Sequence, residues 1–344
     1  MFPHASRLPF TGFPGRPFAS PVLRAATLAH ALALAAGFVP VSAQHFGSET
    51  GAASYQFLKL PLSPRVVGLG GAGAALVDDA GDLDLNPAAP ASDSTRLVLG
   101  KGIPYREFRS GSSHITWSIP YRSSYRILLN ARYLGFQDVP GFDELNRPTS
   151  AYGAHTLKAQ GGMAGKYREL AWGVTLGYAQ NNIASANYST AMINAGARYR
   201  ILPGFHAGLS AVNAGFWESR ALEEGNQDPF PPAALQAGLS YVHAAGRDFQ
   251  VAVALDARVR NDEDLAWPMG AEISWQDMIF LQVGYPLGET ERGWDAAREG
   301  GWDGALRGLS AGLGLEWSAF RVNYAFQGHG NLSPGHFFSL GIGF

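Results

Sequence analysis

Phe249-Gln250-Val251-Ala252-Val253-Ala254-Leu255-Asp256-Ala257-Arg258-Val259 decides the fold class. Every second residue is apolar, and the residues between are glutamine, alanine, aspartate and arginine. The same period of two recurs in 125–133, 193–201, 309–317 and 320–326. Alternation sustained over about nine to eleven residues is what a tilted strand needs to cross a bilayer. Strands of soluble sandwiches are usually about five or six residues long. The second face here is glycine, serine and alanine with scattered charges, which suits a crowded or wetted lumen.

Working outward, comparable segments lie at 95–101, 112–120, 124–135, 154–165, 169–181, 189–201, 204–215, 233–244, 248–259, 268–276, 278–286, 306–317, 319–327 and 336–344. Their connections alternate. Short ones fall near 121–123, 166–168, 202–203, 245–247, 276–277 and 318; long ones fall at 102–111, 136–153, 182–188, 216–232, 260–267, 287–305 and 328–335. Short inner turns and long outer loops are the asymmetry of outer-membrane barrels, and an even strand number puts both termini on one side. The chain ends on Phe344, with Ile342, Leu340 and Phe338 on the same face. The expectation is an all-β protein: a transmembrane antiparallel up-and-down barrel of about fourteen strands over 94–344.

Composition excludes the other classes. Charged residues are 16% of the chain against about 25% usually, and glycine is 43 of 344. Mean hydropathy is −0.05, and after residue 43 no apolar run of about 18 residues could span a bilayer as a helix. With no cysteine there is no disulfide, thiolate metal site or lipid-bearing cysteine. A formal charge of −2 excludes a strongly basic nucleic-acid binder.

Residues 1–43 read as a cleaved signal peptide. Arg7, Arg16 and Arg24 form a positive region without acids, 25–39 is apolar, and Val41-Ser42-Ala43 is a small-x-small site before Gln44. The mature chain is thus expected in the outer membrane of a Gram-negative bacterium, in contact with outer-membrane lipid.

The remaining motifs read as structure. Gly68, Gly70 and Gly73 match G-x-G-x-x-G, yet Pro61 and Pro64 interrupt any strand before them, and Asp78, Asp79 and Gly81 end any helix after. A dinucleotide site needs both. Gly308-Leu309-Ser310-Ala311-Gly312 matches G-x-S-x-G, but it sits inside an alternating strand rather than at a strand-to-helix turn. The histidines lack metal-ligand spacing, and the acidic loop residues Glu289, Glu291, Asp295, Glu299 and Asp303 lack the EF-hand pattern. No enzyme activity, cofactor or metal is expected. Trp294 and Trp302, among glycines in the longest loop, are candidate partner contacts or rim anchors.

The segment before the first strand carries the most specific pattern: Phe57-Leu58-Lys59-Leu60-Pro61, Ser63-Pro64-Arg65, Gly68-Leu69-Gly70-Gly71-Ala72, Asp78-Asp79-Ala80 and Asn86-Pro87-Ala88. This resembles the N-terminal signature of the PorV/PorQ family of type IX secretion outer-membrane proteins, which share a fourteen-stranded FadL-like barrel. The Phe142-Asp143-Glu144 loop and the closing Phe338-Ser339-Leu340 are similar too, so the resemblance covers the chain from about residue 54 onward. Pro64 stands where alanine is commoner and Ala89 where glycine often follows. Compact loops resemble the PorQ-type branch more than the PorV branch.

The resemblance implies a secretion component that binds other type IX proteins or exported cargo, with no chemistry of its own. The segment 44–93 is expected to form a plug in the lumen, or else a periplasmic strap, with Asp78 and Asp79 pairing to lumen arginines such as Arg198, Arg258 or Arg321. The alternative is a FadL-like transporter of hydrophobic small molecules, which shares the barrel and the asparagine-proline-alanine turn.

Overall fold

A computed structural model of the chain describes residues 54–91, 96–106, 109–122, 124–142, 145–183, 186–219, 230–288, 308–329 and 332–344. Residues 1–43 (expected to be a signal peptide), Trp294, Trp302, Asp143, Glu144 and the acidic residues from Glu289 to Asp303 lie outside the described residues.

The strands are β1 (Arg96–Ile103), β2 (Gly111–Tyr121), β3 (Tyr125–Phe142), β4 (Pro148–Tyr167), β5 (Leu170–Ile183), β6 (Ala186–Leu202), β7 (Phe205–Ser219), β8 (Ala234–Ala245), β9 (Phe249–Arg260), β10 (Glu263–Trp275), β11 (Ile279–Leu287), β12 (Ser310–Trp317), β13 (Phe320–His329) and β14 (Leu332–Gly343). Each pairs antiparallel with its sequence neighbours, and β14 closes on β1 from Arg96↔Gly343 to Ile103↔His336. Closure leaves no free sheet edge along the paired lengths, so the backbone is satisfied within the wall, as a bilayer requires.

The alternating sets point as the period demands. Val253 and Leu255 are about half exposed on the outside, while Ala252, Ala254, Asp256 and Arg258 are buried inward. The short hairpins contain Arg122, Arg168, Gln276, Asp277 and Ser318 in left-handed backbone, with Gly204 and Gly246 doing the same elsewhere. Such turns match the right-handed twist of two-residue hairpins. Tyr121, Tyr125, Tyr167, Trp275, Trp317, Phe320 and Phe344 stand exposed at this short-turn end, an aromatic girdle at one interface.

Several strands run further than their periodicity indicates, all at the long-connection end. β3 and β4 continue as a hairpin to Phe142↔Pro148, beyond the expected ends at 135 and 154. Past the apolar zone the ladder still forms, but on β4 every residue from Pro148 to Gly153 is exposed, so no alternation marks it. β10 likewise begins at Glu263, after a register shift between Glu263 and Ala266.

Inside the barrel, residues 54–91 thread the lumen. They comprise a 3-10 turn (Gln56–Lys59), a short helix α1 (Pro64–Gly68), and 3-10 turns at Ala80–Asp82 and Ala89–Ala91. Ser63 caps α1, accepting from Val66 N, and Pro64 occupies its first turn, where a missing N–H costs nothing. The segment enters near the long-connection end, where Ser54 N donates to Phe230 O, and leaves toward β1 at the short-turn end. It thus crosses the whole barrel.

Candidate functional site

The lumenal segment is held by a glycine-lined wall. A Cβ on Gly284 would fall 2.1 Å from Gly70 N, on Gly208 2.1 Å from Ala74 O, and on Gly173 1.9 Å from Pro87 O. Gly196 would meet Asn86 Oδ1 at 2.0 Å and Gly270 would meet Leu69 O at 2.6 Å. The glycine face seen in the strands is therefore the bed on which the plug backbone lies.

The G-x-G-x-x-G loop cradles an anion, though not a phosphate. Gly70, Gly71 and Gly73 all have positive φ, which only glycine adopts cheaply. The loop they form presents Gly73 N and Ala74 N to Asp256 Oδ2 at 2.8 and 2.9 Å. Gln236 adds a third hydrogen bond to the same oxygen at 2.6 Å and also donates to Gly71 O. A wall carboxylate fills the nest that a ligand would otherwise occupy.

The other signature residues have equally specific places. Asn86 Nδ2 donates to Ala74 O and Ala197 O, and its Oδ1 accepts from Ala88 N. Pro87 and Ala88 are buried against the wall beside it. Phe57 and Leu58 pack with Tyr55, Leu134 and Met192, and Arg132 lies over the Phe57 ring. Pro61 sits half-buried at the edge of the larger cavity. Arg65 donates from Nε and Nη2 to Glu272 and from Nη1 to Asp78. Asp78 pairs with Arg65, not with the strand arginines expected. Asp79 pairs with Arg96 at 3.0 Å and with Arg321 at 3.8 Å. Arg198 instead donates to Val77 O, and Arg258 stands against Gly71. Those two therefore meet backbone and loop rather than Asp78 or Asp79, because α1 brings Arg65 nearer than either strand can reach. The serine of G-x-S-x-G, Ser310, is buried in β12 with its hydroxyl on Gly284 O.

A circumferential polar ladder escaped the sequence reading. Asn130 donates to Thr116, and Gln160 to Asn130. Thr175 and Asn194 both donate to Gln160, and Asn213 N donates to Asn194. One inward polar residue from each of β2 to β7 thus joins a belt around half the wall. The plug docks on it through Asp84, which accepts from Lys158 at 2.8 Å and from Gln160 at 2.5 Å. Burial works to raise the Asp84 carboxyl, but Lys158 and Arg132 outweigh it and leave it below its ordinary range. The available signal was one amide or hydroxyl per strand, midway along, on the inward parity.

The plug divides the lumen into two chambers. The larger, about 850 Å³, lies toward the long-connection end. Its walls combine an apolar set, including Phe57, Leu58, Leu60, Leu134 and Phe136, with a comparable number of polar and charged residues, Lys59, Arg258 and Glu263 among them. Lys59 is itself held by Asp262 and Glu263 at 2.7 Å each. The smaller, about 410 Å³, lies toward the short turns and has a mainly polar lining in which charged groups predominate, including Arg65, Asp78, Arg96, Arg198, Glu316 and Arg321. Among the described residues no cluster of histidine or carboxylate side chains could hold a metal ion.

No sequence family and no curated protein matches the chain. Its architecture is nevertheless shared with solved structures. The CymD monoaromatic hydrocarbon channel superposes with a TM-score of 0.53 at 14% identity, covering 82% of this chain and 97% of its own. The toluene transporter TodX of P. putida gives 0.53 at 11% identity, covering 83% and 99%. The toluene transporter TbuX of Ralstonia pickettii gives 0.51 at 10% identity, covering 83% and 99%. At such identity the likeness is one of fold: this chain is a closed fourteen-strand barrel with a lumenal plug, built like those hydrocarbon channels.

Proposed function

We propose that the protein is an outer-membrane transporter that admits a small hydrophobic molecule from the long-connection side into the larger chamber. The observation that carries this is the chamber itself. Its volume of about 850 Å³ falls within the size of ligand sites, about 300–1,000 Å³. Phe57, Leu58, Leu60, Leu134 and Phe136 give it an apolar side for a hydrophobic guest, and the polar and charged residues that line the rest could orient one. The fold shared with hydrocarbon channels supports the same reading, as does a plug that denies a wide aqueous pore. Toluene is the probe of choice. Saturation-transfer NMR on the detergent-purified protein should detect bound toluene, and Leu60→Trp, which narrows the chamber beside Phe57 and Leu58, should weaken it about tenfold, or 1.4 kcal/mol. Absence of binding to the unmodified protein, or equal binding to both, would remove the proposal.

A second reading, a type IX secretion component that holds partners or cargo, is favoured by the signature from Phe57 to Ala88. The buried contacts of those residues identify a plug, and such a plug serves either function. Co-purification of secretion proteins from native outer membranes, lost in a Trp294→Ala, Trp302→Ala double variant, is the result this reading requires.

A further inference from the structure

A third void of about 10 Å³ lies between the plug and the wall at β13, β14, β1 and β2. It shares Ser63, Gly81 and Asp82 with the larger chamber, and Arg65, Asp79 and Arg321 with the smaller. It therefore lies between the two chambers, along the seam where the plug meets the wall. Most of its lining residues are buried, among them Asp82 at 1% exposure and His114 and Arg321 at 7% each. These three each carry a polar atom with no partner among the described residues: Asp82 Oδ1, His114 Nε2 and Arg321 Nη2. Elsewhere along the plug the wall is sealed by backbone contact at Gly173, Gly208 and Gly284. At this seam side chains, not backbone, fill the gap.

A space of about 10–15 Å³ holds one water when two to four polar groups surround it. An acceptor, a histidine nitrogen of either role and a guanidinium donor meet that requirement. We propose that the seam is a hydrated passage for water and small inorganic ions past the plug, with a water held at its narrowest point by Asp82, His114 and Arg321. Its lining rejects the hydrophobic guest of the larger chamber, since an apolar molecule there would leave Asp79, Asp82 and the arginines unsolvated. Cations and carboxylates alternate along it, so selection between anions and cations is weak. The passage stands on the geometry of the seam alone and holds whichever function the larger chamber serves.

The chain has no cysteine, which permits a direct test. Full-length Ser339→Cys places a thiol in the seam. Ser112→Cys places one at a similarly buried serine, 5% exposed against 6% for Ser339, that lines none of the three voids. In proteoliposomes, aminoethyl methanethiosulfonate should modify Ser339→Cys at least about tenfold faster than Ser112→Cys. Modification should also lower potassium flux through the protein. Equal rates overturn the passage; modification that leaves flux unchanged makes the seam a blind pocket and overturns it as well. If Ser339→Cys fails to assemble, shown by loss of heat-modifiable migration, Asn323→Cys on the same seam replaces it.

Discussion

Arg65 and Glu272 form a forked pair: Nε and Nη2 of one reach the two carboxylate oxygens of the other at 2.8 Å each, across 207 positions of sequence. Their side chains are 9% and 6% exposed, and Gln282 supports the carboxylate at 2.9 Å. The pair ties the plug helix α1 to strand β10. Breaking one half of a buried pair costs about 3–5 kcal/mol, because the other charge is left behind. Arg65→Met should therefore loosen the plug, raise single-channel conductance in planar bilayers and expose residues 54–91 to proteinase K, which does not depend on the substituted arginine. Arg65→Met with Glu272→Leu should recover much of the loss. A double variant as leaky as the single one would show that the pair itself is not the latch.

Gly284 tests the glycine bed. Its Cβ would sit 2.1 Å from both Gly70 N and Leu69 C, backbone atoms that cannot swing aside. Gly284→Ala should displace the Leu69–Gly70 turn and open the lumen, while Gly111→Ala, with nothing within 4 Å, should leave conductance unchanged. Heat-modifiable migration of both variants would confirm that the barrel still closes.

Asp256 is the anchor of the glycine loop. Asp256→Ala leaves the Gly73 and Ala74 N–H groups buried and unpaired, a cost of about 1–3 kcal/mol for each group stranded. Asp256→Asn keeps an acceptor and should lose less. Limited proteolysis of the plug ranks the three proteins, with the unmodified chain slowest and Asp256→Ala fastest.

Asp82 makes the plug pH-sensitive. Burial, and then the neighbouring Asp79 carboxylate, push its pKa up to about 6. A carboxyl raised above its unfolded value favours the folded state in its protonated form. That contribution is full below about pH 4 and is lost as pH rises through about 6. Asp84 runs the opposite way, its contribution failing only below its ordinary range. Between pH 4 and 7 the Asp82 trend should dominate, so proteolytic release of the plug should quicken as pH rises. Asp82→Asn should flatten that profile; an unchanged slope would assign it elsewhere.

Much of the fold could be read from the chain directly, because a barrel wall is a local pattern. Strand period two in 249–259 sorts Val253 and Leu255 outward and Asp256 and Arg258 inward whatever lies across the lumen. The alternation of short connections, as at 121–123 and 318, with long ones then gives strand number and end-to-end polarity. The segment 54–91 has no such period. Its glycines and its Asn86-Pro87-Ala88 turn mark a backbone that must bend and be approached closely, without saying by what. Which wall glycine receives Asn86, which carboxylate fills the Gly70–Gly73 loop, and whether Asp78 meets Arg65 or Arg321 are choices among groups up to 243 positions apart. They depend on where the closed wall places each inward side chain around the lumen. Neighbouring residues in sequence carry no record of that distance, so only the tertiary structure decided it.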